Sequence, residues 1–151
     1  MIKIICVGKI KEQYLKEAIG DYMTRISKYN KIEIIECAEY TEMEEKTILE
    51  KEKIQILKNI GERDYVITLE INGKQTSSEE LSKRTDNIYL THNTITFIIG
   101  GSHGLHQDIK DKSNYPLSFS KMTFPHQLFR VILLEQIYRS FKIQNKEKYH
   151  K

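Results

Sequence analysis

An α/β fold is predicted for this sequence, with a mostly parallel sheet and helices on both faces. Apolar runs rich in β-branched residues alternate along the chain with segments of helical period. The connecting segments have the length of helices, which parallel neighbouring strands require. Such strands, covered on both sides, read as continuous apolar stretches rather than alternating ones. With 151 residues, one compact domain spanning 1–151 is expected, long enough to bury a real core.

The elements follow in order. "IKIICV" (2–7) is a buried strand. From Glu12 to Tyr29, apolar residues at Tyr14, Leu15, Ala18, Ile19, Tyr22, Met23 and Ile26 form the i, i+3, i+4 stripe of a helix packed on one side. "IEIIECA" (32–38) is a strand. Glu42 to Ile60 is a second helix, with Ile54, Leu57 and Ile60 on its apolar side and Gly61 as its stop. "DYVITLEI" (64–71) is a third strand, ended by the Asn72-Gly73 turn signal. Ser77 and Glu80 have capping-box spacing, so a helix begins there and runs towards Leu90. "TITFII" (94–99) is the fourth strand and leads into Gly100-Gly101. A short helix near Leu105 to Lys112, the stretch "YPLSFS" (115–120) and a long helix from about Pro125 to Ile143 complete the chain. Pro125 suits a first helical turn, where its missing N–H goes unused.

Composition narrows the class. Hydrophobic residues make up 39% and charged residues 30%, ordinary for a globular protein, and no apolar run has membrane-spanning length. The opening apolar stretch is too short for a signal h-region, so a cytoplasmic location is expected. Cys6 and Cys37 fall inside strands, as core thiols do, and neither has a second ligand at metal spacing. His103 and His106 lack a third ligand, so no metal is expected. Between Glu36 and Glu52, seven acids stand against two lysines and are expected to form a solvated surface. Between Lys121 and Lys151, seven bases stand against two acids, a balance that points to a polyanionic partner.

In open parallel sheets, ligands bind beyond the carboxyl ends of the strands. "LEINGK", "IIGGSHG" and "PLSFSKMTFPH" all fall there and should converge on one pocket. The glycine loop is not a Walker loop, because Leu105 and His106 stand where Lys and Ser/Thr would follow, and it lacks dinucleotide-fingerprint spacing. Ser118, Ser120 and Thr123 interrupt an apolar stretch and would offer hydroxyls around a bound adenosine. No nucleophile elbow is present and neither cysteine lies in a loop. His126, at a helix start beside the expected pocket, is the candidate base. The last helix carries more apolar girth than one sheet face needs, which means deep burial or a subunit interface. Arg130 and Arg139 serve either an interface or a phosphate contact. Tyr149 and His150 among lysines suit a stacking arm for unpaired RNA.

"LEINGK", "SSEELS", "FIIGGSHGL", "LSFSKMTFPHQLFR", "EQIYRSFKI" and the terminal "YHK" together resemble the RlmH family of bacterial ribosomal RNA methyltransferases, members of the SPOUT class. The resemblance covers essentially the whole chain. It implies a trefoil-knotted fold and S-adenosyl-L-methionine as cofactor. It implies methylation of N3 of a pseudouridine in 23S ribosomal RNA by a homodimer acting on assembled ribosomes. Carried over by position, cofactor contacts fall at Leu69, Gly100, Leu117, Ser118, Phe119, Ser120, Lys121 and Met122. Catalytic roles are expected at His126, Arg130 and Arg139, and RNA contacts at Arg139, Tyr149, His150 and Lys151. The glycines would make room for the adenosine. Glu70 stands where the family often has Asp, and Lys148 where a proline often precedes the Tyr-His pair. Two other classes compete: a non-enzymatic ribosome-binding or assembly factor, which needs no cofactor, and a nucleotide-binding regulatory domain, which ignores ribosomes.

Overall fold

The computed structural model describes residues 1–151. The elements are β1 (Ile2–Val7), α1 (Gln13–Ser27), β2 (Ile32–Cys37), α2 (Glu45–Leu57), β3 (Tyr65–Gln75), α3 (Ser78–Ile88), β4 (Ile95–Ile99), α4 (Gln107–Asp111), β5 (Tyr115–Ser118) and α5 (His126–Gln144). The strands form one sheet in the order β2-β1-β4-β3-β5, and every pairing is parallel. No helix is long and apolar enough to cross a membrane.

Side chains on a strand point to alternate faces, and the two cores follow that period. Ile2, Ile4 and Cys6 of β1 enter a large core with Ile26 of α1, Leu81 and Ile88 of α3, and Leu133, Leu134 and Ile137 of α5. Ile5 and Val7 enter a smaller core on the other face with Ile56 of α2 and Ile109 of α4. Helices thus cover both faces, three on one and two on the other. Both cysteines are buried, and burial pushes the Cys6 thiol up to about 12.

Local signals account for the helix ends. Ser77 Oγ accepts from the Glu80 N–H at 3.1 Å while the Glu80 carboxylate accepts from the Ser77 N–H at 3.0 Å, a complete capping box. His106 Nδ1 accepts from the Asp108 N–H at 2.9 Å, and its Nε2 lies 2.7 Å from Glu50 Oε1, so this histidine joins α4 to α2.

Three expectations need correction. Leu57 and Ile60 pack against the smaller core as expected, but Ile54 is 50% exposed, and the buried side of α2 is Ile48 and Ile56, four residues on either side of a buried Glu52. In a helix this charged, single isoleucines do not define a face. The acidic stretch is therefore not wholly solvated: Glu52 is buried, and Glu36 pairs with Arg130 at 2.7 Å. β3 also does not end at Asn72-Gly73. Both Leu69 and Lys74 pair with Leu117 of β5, so the chain bulges outward between them and rejoins the ladder.

Gly73 lies at that bulge. A Cβ added there would sit 2.8 Å from Pro116 O and 3.0 Å from Leu117 C, backbone atoms that cannot move aside. Gly73→Ala should therefore destabilise the chain by about 1–3 kcal/mol. Gly20, mid-helix in α1, has nothing within 4 Å of such a Cβ, and Gly20→Ala should stabilise by roughly 1 kcal/mol through helix propensity. Urea-unfolding midpoints of the two variants should move in opposite directions.

Candidate active site

Beyond the carboxyl ends of β3, β4 and β5 lies a cavity of about 370 Å³. Three segments wall it: Leu69 to Asn72 at the bulge within β3, Gly100 to Leu105 after β4, and Leu117 to Phe124 at and after the end of β5, closed by His126 and Phe129 of α5. The volume lies in the range of small-molecule sites, and the lining mixes apolar side chains with a few polar groups.

Each wall is held by identifiable contacts. Ser118 Oγ lies 2.9 Å from Ile71 O and 3.1 Å from Ser120 O, tying the first and third loops. Ser120 Oγ accepts from the Met122 N–H at 3.0 Å and turns the third loop. Phe119 packs edge-on against Phe129 with ring centres 4.9 Å apart, and Phe124 stacks on the same ring at 6.0 Å, seating that loop on α5. The middle loop folds back on itself. A Cβ on Gly100 would lie 2.5 Å from Gly104 O, and Gly101 and Gly104 form an antiparallel bridge. Glycine at 100 is thus required first by the chain's own return, not by a ligand as the sequence suggested.

The cavity offers chemistry at its walls. The N–H groups of Ser120, Lys121, Thr123 and Phe124 have no acceptor within the chain. These residues are exposed or half-buried, so a ligand that displaces water from these donors must bring acceptors of its own. Glu70 lines the cavity, with its Oε2 2.6 Å from Thr68 Oγ1 and no cation paired to it. Lys110 is the one cation on the lining. His126 lies at the mouth of α5 and makes no side-chain hydrogen bond within the chain.

Of the expected cofactor positions, Leu69, Gly100, Leu117, Ser118, Phe119, Ser120 and Met122 line this cavity, together with His126. Lys121 is exposed and its residue is not part of the lining. Arg130 lies elsewhere. It is 1% exposed, with Nη2 donating to Val7 O at 3.1 Å and Gly8 O at 2.6 Å and Nη1 paired to Glu36 at 2.7 Å. A guanidinium so enclosed cannot clamp a phosphate; it positions α5. Arg139 and the tail are together but distant from the cavity. Arg139 Nε donates to Glu135 at 2.9 Å, its guanidinium lies 4.7 Å over the Tyr149 ring, and His150 Nε2 is 2.7 Å from Glu79 Oε1. The tail is therefore docked on α5 and α3 rather than free as an arm. Sequence reasoning placed Ile71 and Asn72 at the pocket only as part of "LEINGK", without naming them as contacts, and did not single out Lys110 and Phe129. The Asn72-Gly73 turn and the i, i+3 spacing of Phe129 from His126 carried the signal for two of these.

Comparison with known proteins agrees with this geometry. Residues 1–150 match the family described as predicted SPOUT methyltransferase. A ribosomal RNA large subunit methyltransferase H from Clostridium botulinum is 54% identical over 99% of both chains, and one from Streptococcus uberis is 52% identical over the same share. The solved structure of a probable methylase family protein from Haemophilus influenzae superposes with a TM-score of 0.59 at 14% identity, covering 99% of this chain and 70% of that one. A parallel sheet whose last three strands end on one shared cavity, and a family match running almost from end to end, lead to the same conclusion: the chain belongs to the SPOUT methyltransferase family.

Proposed function

We propose that this protein methylates N3 of a pseudouridine in 23S ribosomal RNA, using S-adenosyl-L-methionine and acting in the cytoplasm as a homodimer on assembled ribosomes. The observation that carries this is the convergence of three loops on one cavity, in a chain whose relatives of matching length are named as large-subunit ribosomal RNA methyltransferases. The residues present fit the cofactor. Leu69, Leu117 and Phe119 offer apolar walls to a nucleoside, the unpaired N–H groups of residues 120–124 offer donors, and the Glu70 carboxylate favours a cationic sulfonium. When bound, S-adenosyl-L-methionine supplies an activated methyl group.

The protein's share of the work is alignment and proton removal. Phe119, Phe124 and Phe129 hold the third loop rigidly against α5, which fixes the rim where the base enters. His126 stands on that rim with both ring nitrogens free of the chain, placed to accept the N3 proton. Arg130 acts on this group only indirectly, by anchoring the first turns of α5 to the end of β1.

A distance supports the homodimer. Arg139 lies 13 residues after His126 on α5, or roughly 20 Å along the axis. One chain therefore cannot bring Arg139, Tyr149, His150 and Lys151 to its own cavity. Two α5 helices packed antiparallel about a two-fold axis would set each tail beside the partner subunit's cavity. Leu128 on α5 and Tyr14 on α1, 41% and 65% exposed, supply apolar surface for such a contact.

Calorimetric titration should show S-adenosyl-L-methionine binding. Incubation with unmodified ribosomes should then give N3-methylpseudouridine by mass spectrometry of the digested RNA. Absence of cofactor binding would favour a non-enzymatic ribosome factor. His126→Ala should lower the single-turnover rate by about a hundredfold with little change in cofactor affinity; an unaltered rate removes His126 as base. Deleting Tyr149 to Lys151 should cut ribosome methylation at least tenfold, on the order of 1.4 kcal/mol, while cofactor binding persists. Equal loss of both would contradict the placement of the tail over the partner's cavity.

A further inference from the structure

We propose a second RNA contact: the groove between α3 and the edge strand β5 holds the phosphodiester backbone that flanks the target nucleotide. This rests on the ribosomal RNA reading above and adds to it a surface that neither the cofactor nor the tail requires.

Charge in the structure is not distributed as the sequence suggests. Three of the seven cations of the basic carboxyl-terminal stretch are committed inside the chain, Arg130 to Glu36, Arg139 to Glu135 and Lys142 to Glu147. Lys74, Lys83 and Arg84 have no carboxylate within ion-pair distance. All three gather at a groove of about 590 Å³ whose floor is Tyr115. The Arg84 guanidinium lies 3.8 Å over the Tyr115 ring and Lys74 Nζ lies 5.5 Å from its centre. Arg84 is thereby held in place by stacking while its N–H groups remain available.

The only carboxylate on the groove wall, Glu80, attracts Arg84 but pairs with none of the three cations. It accepts from the Ser77 N–H at 3.0 Å and from Thr76 Oγ1 at 2.9 Å, bonds that keep it ionised and committed to the helix cap. The rest of the wall is amide and hydroxyl, from residues such as Gln75, Asn87 and Thr91. Tyr65, Ile88 and Tyr115 add apolar surface, but unpaired cations beside hydrogen-bonding neutral groups suit a polyanion's backbone better than a small apolar ligand.

Position selects RNA among polyanions. Tyr115 on the groove and Leu117 on the cavity are neighbours of the same strand, two residues apart, or about 7 Å. The β3 bulge serves both sites, with Glu70 to Asn72 facing the cavity and Gln75 and Thr76 facing the groove. A strand that inserts one base into the cavity therefore runs past the groove within a nucleotide or two.

The test compares Lys74→Gln/Lys83→Gln with the charge-conserving Lys74→Arg/Lys83→Arg. Both positions are exposed, so neither pair should disturb folding. Affinity for a short fluorescein-labelled RNA hairpin is followed by anisotropy across a salt series, and methylation of unmodified ribosomes in parallel. The glutamine pair should weaken hairpin binding about tenfold and reduce the salt slope by about 2, one for each lysine. Its KM for ribosomes should rise while kcat and cofactor affinity stay unchanged, and the arginine pair should behave as wild type. Wild-type affinity and slope in the glutamine pair, or equal damage in the arginine pair, would overturn the groove. If wild-type enzyme methylates ribosomes and the glutamine pair keeps its KM, the groove fails and the methyltransferase assignment stands. If wild type binds the hairpin through these lysines yet transfers no methyl, the groove stands and that assignment fails.

Discussion

One backbone crossing governs the rest of the molecule. Where β3 bulges past β5, Gly73 lies against the peptide atoms of Pro116 and Leu117 with no room for a methyl group. Leu69 and Lys74 both pair with Leu117, so the four residues of β3 between them are looped out over a single point of the edge strand. That loop supplies Glu70, Ile71 and Asn72 to the cavity, and Ser118 Oγ fastens its Ile71 carbonyl to the next wall. Two of the three cavity walls are thus set by one contact between backbones. Main-chain contacts of this kind hold geometry more tightly than side chains on flexible stems, which suits a site whose task is alignment.

The third constraint enters from the far side of the sheet. Arg130 reaches from α5 to the carbonyls that end β1 and to Glu36 at the end of β2. Burying a guanidinium costs several kcal/mol unless its hydrogen bonds are made, on the order given for buried ions. Here Nη1 and Nη2 are satisfied and only Nε lacks a partner. Such a pair contributes little net stability but specifies position strongly. The helix that begins with His126 and carries Phe129 is therefore placed by contacts to β1 and β2, strands that take no part in the cavity. Peripheral strands and the rim that carries His126 are coupled through one side chain.

Most of the fold was legible in the sequence because its signals were local. Each strand and helix was recognisable from period and composition, and the Ser77–Glu80 spacing marked a real capping box. The errors arose where distant parts of the chain decide the outcome. Asn72-Gly73 looked like the end of a strand, because nothing near it in sequence shows that β5 continues the ladder at Lys74. Ile54 looked like core and Glu52 like surface, because which side of α2 meets the sheet depends on packing against Val7 and Gly101. The cavity was foreseeable through the rule that ligands bind beyond strand ends, which places loops without needing side-chain contacts. The commitment of Arg130 was not, since its partners lie more than ninety residues away.

The same distinction explains why charge counted along a chain is a weak guide to where a polyanion binds. The carboxyl-terminal stretch is the most basic part of the sequence, yet its arginines and Lys142 are paired with Glu36, Glu135 and Glu147 in the fold. Each pair holds something in place: the start of α5, the docked tail, or the end of the last helix. Lys74, Lys83 and Arg84 sit in a stretch with no notable net charge, and Glu79 and Glu80 beside them appear to cancel it. In the fold those acids are engaged first by His150 and by the helix cap, which leaves the cations without an ion-pair partner. Long-range attraction depends on the charges that remain unpaired at the surface, not on composition. A basic stretch can therefore spend part of its charge, both of its arginines included, on internal fastening while a neutral-looking stretch adds to the field a nucleic acid meets.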